Sequence, residues 1–93
     1  MDLKDYRQQI DDLDREMAAI FEKRMEISRL VAIYKKENNL PLQDIGREEL
    51  MLEKLKESTG DELYPYSRKF FSYLLELSKD YMGSCMAQLS EDI

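Results

Sequence analysis

The most constraining feature of this sequence is a long apolar stripe in its first third. Side chains recur there at alternating spacings of four and three residues, and the series is Tyr6, Ile10, Leu13, Met17, Ile20, Arg24, Ile27, Val31 and Tyr34. This period predicts one helix from about residue 4 to 38. At ~1.5 Å per residue it would be ~52 Å long, whereas a compact domain of this size is roughly 30 Å across. We therefore expect a homodimer in which a second chain covers the stripe.

Two shorter helices follow the long one. Asp44 is a favourable N-cap for a second helix at about 45–57, which the segment ending at Gly60 closes. Pro65 suits the first turn of a third helix at about 65–83. The apolar face of this helix comprises Tyr66, Phe70, Leu74, Leu77 and Tyr81. The pattern weakens after about residue 84, so residues 84–93 are expected to form a frayed tail of a single all-α domain, 1–93.

Composition excludes several classes of function. The chain has 93 residues, a net charge of -6, one cysteine and no histidine. The negative charge argues against a nucleic-acid partner. The missing histidine removes histidine-ligated metal sites and Ser-His-Asp catalysis, and Cys85 alone forms no internal disulfide. No stretch is apolar enough for a transmembrane helix, and the first residues lack an apolar signal region, so we expect a soluble, cytoplasmic protein without a membrane partner.

Arg24 is the residue that breaks the apolar stripe. By itself it is compatible with an arginine that reaches solvent or forms a salt bridge. However, Ser28 lies one turn later, and Lys35 lies within ~20° of Arg24 on the helical wheel. Two cations on one buried face are costly unless they are paired. The pattern therefore indicates an anionic ligand, or carboxylates from another helix.

Three further regions carry candidate residues. Arg7 precedes Arg24 by ~25 Å along the helix, so it reaches the same small ligand only from the other chain of an antiparallel dimer; otherwise it is a solvated surface residue. Asp44, Arg47 and Glu48 open the second helix, either as a cap with ordinary first-turn acids or as the polar wall of a site. On the third helix, Ser78 and Met82 lie one turn apart.

Together these segments resemble the small helical chorismate mutases, a class found at the start of many bifunctional aromatic-pathway enzymes. The resemblance runs from Leu3 to about Tyr81. The segments that carry it are Tyr6-Arg7-Gln8-Gln9-Ile10-Asp11-Asp12-Leu13-Asp14, Phe21-Glu22-Lys23-Arg24-Met25-Glu26, Ala32-Ile33-Tyr34-Lys35-Lys36-Glu37-Asn38 and Pro41-Leu42-Gln43-Asp44-Ile45-Gly46-Arg47-Glu48. It implies an intertwined dimer of three-helix chains that converts chorismate into prephenate without a cofactor.

The resemblance also implies a role for each candidate residue. Arg24 and the partner's Arg7 would bind the two substrate carboxylates, and Lys35 would donate to the ether oxygen of the enolpyruvyl group. Asp44 and Glu48 would form a wall that faces the ring hydroxyl, and Arg47 would support that wall. Ser78 would assist at a carboxylate. Lys35, Arg24 and Glu48 are the residues expected to act in catalysis.

Met82 departs from the family pattern, because the family usually has Gln or Glu at this position as a second donor to the ether oxygen. A thioether cannot donate a hydrogen bond, so Met82 predicts a reduced rate. Met82 favours one alternative function, a sensing or regulatory domain with little turnover. Two others are also kept open, an isochorismate pyruvate lyase and a purely structural helical dimer. A purely structural dimer would not explain why Arg24 and Lys35 lie on the apolar face. The sequence leaves open whether the chain is free-standing or part of a larger enzyme.

Overall fold

The structure, a computed structural model that describes residues 1–91, consists of three helices. They are α1 (Leu3–Glu37), α2 (Ile45–Thr59) and α3 (Tyr64–Glu91). The described part of the chain contains no strand, which confirms the predicted all-α class and the order of the helices. α1 and α2 begin and end within two residues of the predicted positions.

Side chains at the helix termini explain these boundaries. Asp2 and Asp5 form a capping box at the start of α1, in which the Asp5 amide donates to Asp2 Oδ1 over 3.1 Å and the Asp2 amide donates to Asp5 Oδ2 over 3.2 Å. Asp44 caps α2, and its Oδ1 accepts from the Arg47 amide over 3.1 Å. Gly60 ends α2 with φ of 84°, a conformation that suits glycine.

The predicted end of α3 near residue 83 is wrong. The helix continues to Glu91, so residues 84–91 are helical rather than frayed, and residues 92 and 93 of the predicted tail lie outside the described residues. Met, Ala, Gln and Leu at positions 86–89 all favour helix. The inward face also persists, because Met82, Cys85 and Leu89 keep the helical spacing and are buried or half-buried.

The protomer is elongated, with principal extents of 57 × 27 × 14 Å and a radius of gyration of 16.7 Å. A compact domain of this length would have a radius of gyration of ~12 Å. α3 packs against both α1 and α2. Every residue from 1 to 23 is exposed, so the first part of α1 projects beyond the three-helix region. The apolar stripe on this overhang, defined here as Tyr6, Ile10, Leu13, Met17 and Ile20, is uncovered in the single chain.

Two kinds of feature are missing from residues 1–91. None of their helices has both the length and the apolar character that a membrane crossing needs. Their cysteine and carboxylate side chains also form no cluster of three or more that could hold a metal ion.

Candidate active site

A cavity of ≈ 330 Å³ is lined by residues of all three helices. Its lining contains seven of the eight residues that the sequence predicted for the site, namely Arg24, Lys35, Asp44, Arg47, Glu48, Ser78 and Met82. Ser28, predicted on the same face as Arg24, lines it as well. Each helix therefore contributes polar groups to one shared space, although these residues are widely separated in sequence.

Arg24 is fixed between α1 and α3. Its Nη1 donates to Ser78 Oγ, and Ser78, only 3% exposed, in turn donates to the carbonyl of Leu74 over 2.9 Å. Loss of solvent at this half-buried position, and then the positive charge of Arg47, lower the pKa of Arg24 from its usual value. Both causes disfavour an isolated guanidinium charge, so an anion bound between the two arginines would relieve the cost.

Lys35 is held at the end of α1 by the loop over residues 38–44. Its Nζ donates to the carbonyl of Leu42 over 2.8 Å. The loop turns back at Asn39, whose φ of 54° lies in the left-handed region that asparagine tolerates. The Leu40 amide then donates to the Lys35 carbonyl over 2.8 Å. The turn thus anchors the loop on the last turn of α1 and places Leu42 and Asp44 beside the cavity.

The start of α2 forms the acidic wall of the cavity. Asp44 uses one carboxylate oxygen to cap the helix, and Glu48 lies one turn later. Glu48 forms a salt bridge with α3, because Lys79 Nζ lies 3.0 Å from Glu48 Oε1. Both side chains are half-buried, with 29% of the lysine and 19% of the glutamate exposed. This salt bridge joins α2 and α3 at the edge of the cavity.

Lys79 also lines the cavity, and sequence reasoning missed it. A signal was present, since Leu75 and Lys79 lie four residues apart, as do Ser78 and Met82, and the four residues share one face of α3. Apolar lining residues were also missed as site residues: Ile27, Val31, Leu42, Met51 and Leu75. They form the apolar part of the cavity lining.

Met82 is 9% exposed and lies in the cavity lining. The position that departs from the family pattern therefore faces the same space as Arg24 and Lys35. Its side chain contributes apolar surface and no hydrogen-bond donor to that space.

The cavity is locally cationic in an acidic protein. Its lining contains four cations, Arg24, Lys35, Arg47 and Lys79, against two carboxylates, Asp44 and Glu48. This leaves an excess of two positive charges, whereas the chain has a net charge of -6. Such a local excess suits a small dianion, and the surrounding negative charge disfavours extended polyanions.

Arg7 is the one predicted site residue outside this group. It is exposed on the overhanging part of α1 and does not line the cavity. The ~25 Å of helix between Arg7 and Arg24 prevents both from contacting the same small molecule within one chain. Its predicted role in the site of a second chain stays a prediction.

Residues 6–83 match the family described as chorismate mutase type II. The chain belongs to this family. The match includes α2 and most of α1 and α3, and it confirms the resemblance found in the sequence segments. A curated relative, the bifunctional chorismate mutase/prephenate dehydratase of Buchnera aphidicola subsp. Schizaphis graminum (strain Sg), is 37% identical over 54 residues. That alignment covers 58% of this chain and 14% of the relative's length. No solved structure matches the chain significantly.

Proposed function

We propose that this chain is a chorismate mutase, an isomerase that converts chorismate into prephenate in the biosynthesis of phenylalanine and tyrosine. The observation that carries the proposal is the cationic cavity of ≈ 330 Å³, which is lined by residues of all three helices and lies within the segment that matches the family. Its size falls within the range typical of small-molecule sites.

The reaction needs only what this cavity contains. It is an intramolecular Claisen rearrangement, in which one carbon–oxygen bond breaks as a carbon–carbon bond forms. No nucleophile, metal, cofactor or acid–base pair takes part. The site must hold a dianion in its reactive conformation and stabilise the negative charge that grows on the ether oxygen. Fixed arginine and lysine side chains meet both requirements.

The geometry supports a specific division of roles. Arg24, held in place by Ser78, binds one substrate carboxylate. Lys35, oriented by the Leu42 carbonyl, donates to the ether oxygen. Asp44 and Glu48 face the ring hydroxyl, and Arg47 adds positive charge to the same wall. These assignments follow the family pattern residue by residue.

The second carboxylate would be bound by Arg7 from another chain. The uncovered stripe on the overhang of α1 supports a homodimer, because a contiguous apolar surface of this length is unfavourable in water. If the two long helices pack antiparallel, Arg7 of each chain comes near Arg24 of the other. We propose an intertwined homodimer with two shared sites, located in the cytoplasm, as suits a biosynthetic enzyme family.

The test is a spectrophotometric measurement of chorismate loss by the purified chain, with product analysis. Prephenate formation above the uncatalysed rate is expected, and Lys35→Ala serves as the matched inactive control. Salicylate and pyruvate formed from isochorismate would instead identify a lyase.

Met82 favours a second candidate, a sensing domain that binds chorismate with little turnover. Titration calorimetry distinguishes the two functions. Tight chorismate binding with no prephenate formation would assign the sensing role and contradict the enzyme.

A further inference from the structure

We propose that Lys79 is a second cationic donor in this site and supplies the hydrogen bond that Met82 cannot. This inference rests on the proposed function. It assigns a role to a residue that the family pattern does not include among the site residues. The rearrangement would then proceed between two ammonium groups, Lys35 on α1 and Lys79 on α3.

The position of Lys79 is the first observation. It lies three residues before Met82 on α3, so the two side chains share one face of the helix. Both line the cavity. The long, flexible lysine side chain can therefore direct its terminal nitrogen to the space beside Met82.

The donors available on α3 are the second observation. Four described residues of α3 line the cavity, namely Leu75, Ser78, Lys79 and Met82, and among them only Lys79 is charged. The Ser78 hydroxyl hydrogen is directed to the Leu74 carbonyl over 2.9 Å. Leu75 and Met82 have no donor. Lys79 is thus the group on this wall that can meet charge developing on a substrate oxygen.

The salt bridge with Glu48 is the third observation. It holds Lys79 at the cavity edge, with Nζ 3.0 Å from Glu48 Oε1. An ammonium group has three N–H donors, so this contact leaves others for a ligand oxygen. The pairing also offsets the negative charge of Glu48, which would otherwise repel a dianion. The partial burial of both side chains keeps the interaction less screened than an exposed pair.

The test is a double-mutant cycle in the full chain with Lys79→Met, Met82→Gln and the double variant. Lys79→Met removes the charge while keeping a long side chain, and should lower kcat by ~10²-fold with a smaller change in KM. Met82→Gln should raise kcat only a few-fold in the parent. In the Lys79→Met background it should restore kcat by ~10-fold or more, because it returns the missing donor.

The controls separate this role from a structural one. Lys69→Met removes an exposed lysine of the same helix and should leave kcat unchanged. If Lys79→Met does not fold by circular dichroism, Lys79→Leu, which also lacks a hydrogen-bond donor, replaces it in the same cycle. If Lys79 merely positions Glu48, Met82→Gln will change kcat by the same factor in both backgrounds, and that result overturns the proposal. Unchanged kcat in Lys79→Met also overturns it. A parent chain without prephenate formation would instead refute the proposed function itself.

Discussion

The uncovered stripe on the overhang of α1 predicts a dimer that a single charge should weaken strongly. Leu13 lies in the middle of this stripe and is 58% exposed in one chain. Full burial of a leucine side chain contributes ~1.5–3 kcal/mol, so covering this exposed part contributes ~1–2 kcal/mol. A twofold symmetric dimer contains the contact twice, which gives ~2–4 kcal/mol. Leu13→Glu should therefore raise the dimer Kd by ~10²-fold or more, since burying its carboxylate adds a further cost.

Analytical ultracentrifugation over a concentration series measures this effect. Ala19→Glu is the matched control, because Ala19 is exposed on the same helix and lies ~140° from the centre of the stripe. It adds the same charge outside the stripe and should leave the dimer Kd near that of the parent. Equal Kd values for the two variants, or a well-folded parent monomer at micromolar concentration, would refute the role of the stripe.

Three further predictions test the site and the fold. Arg7→Ala and Arg24→Ala should each be inactive alone. Mixing the two variants should restore activity, because each heterodimer contains one intact site. No recovery of activity after verified subunit exchange would contradict the assignment of Arg7 and Arg24 to one site from opposite chains. Lys35→Ala should lower kcat by ~10²–10³-fold in the chorismate assay while binding weakens less, whereas a loss confined to KM would contradict its role at the ether oxygen. Asp44→Ala should lower the free energy of unfolding by ~1 kcal/mol in urea titration, since it removes the cap of α2, and the neighbouring Gln43→Ala should not.

Local sequence signals predicted most of the fold. The helical period and the N-cap at Asp44 located α1 and α2 because both depend on neighbouring residues. The end of α3 was predicted about eight residues too early. Cys85 and Leu89 continue the inward face with side chains that were not counted as part of the apolar pattern. Gly83 stands at the predicted end but lies inside the helix, and residues 84–91 contain no proline that would stop it.

The site was predictable where one helix or the family pattern specified it. Arg24 and Lys35 were identified from a single helical wheel, and both line the cavity. Lys79 shares a face of α3 with Ser78 and Met82, but its salt bridge with Glu48, a residue of another helix, could not be predicted from that face. A wheel places residues on a face of one helix but does not show which face of the next helix lies opposite. Pairings across helices therefore required the three-dimensional structure.

Dimerisation and catalysis should be inseparable in this protein, because Arg7 and Leu13 lie on the same overhang of α1. Six residues, ~9 Å along the helix, separate them, and Leu13 is remote in sequence from every residue that lines the cavity. Leu13→Glu should nevertheless lose specific activity at concentrations below its dimer Kd, and regain it as the protein concentration rises. Ala19→Glu should keep a constant specific activity over the same range. If dissociated Leu13→Glu monomers are as active as the parent, the site is complete within one chain, and Arg7 of a second chain has no part in binding the substrate.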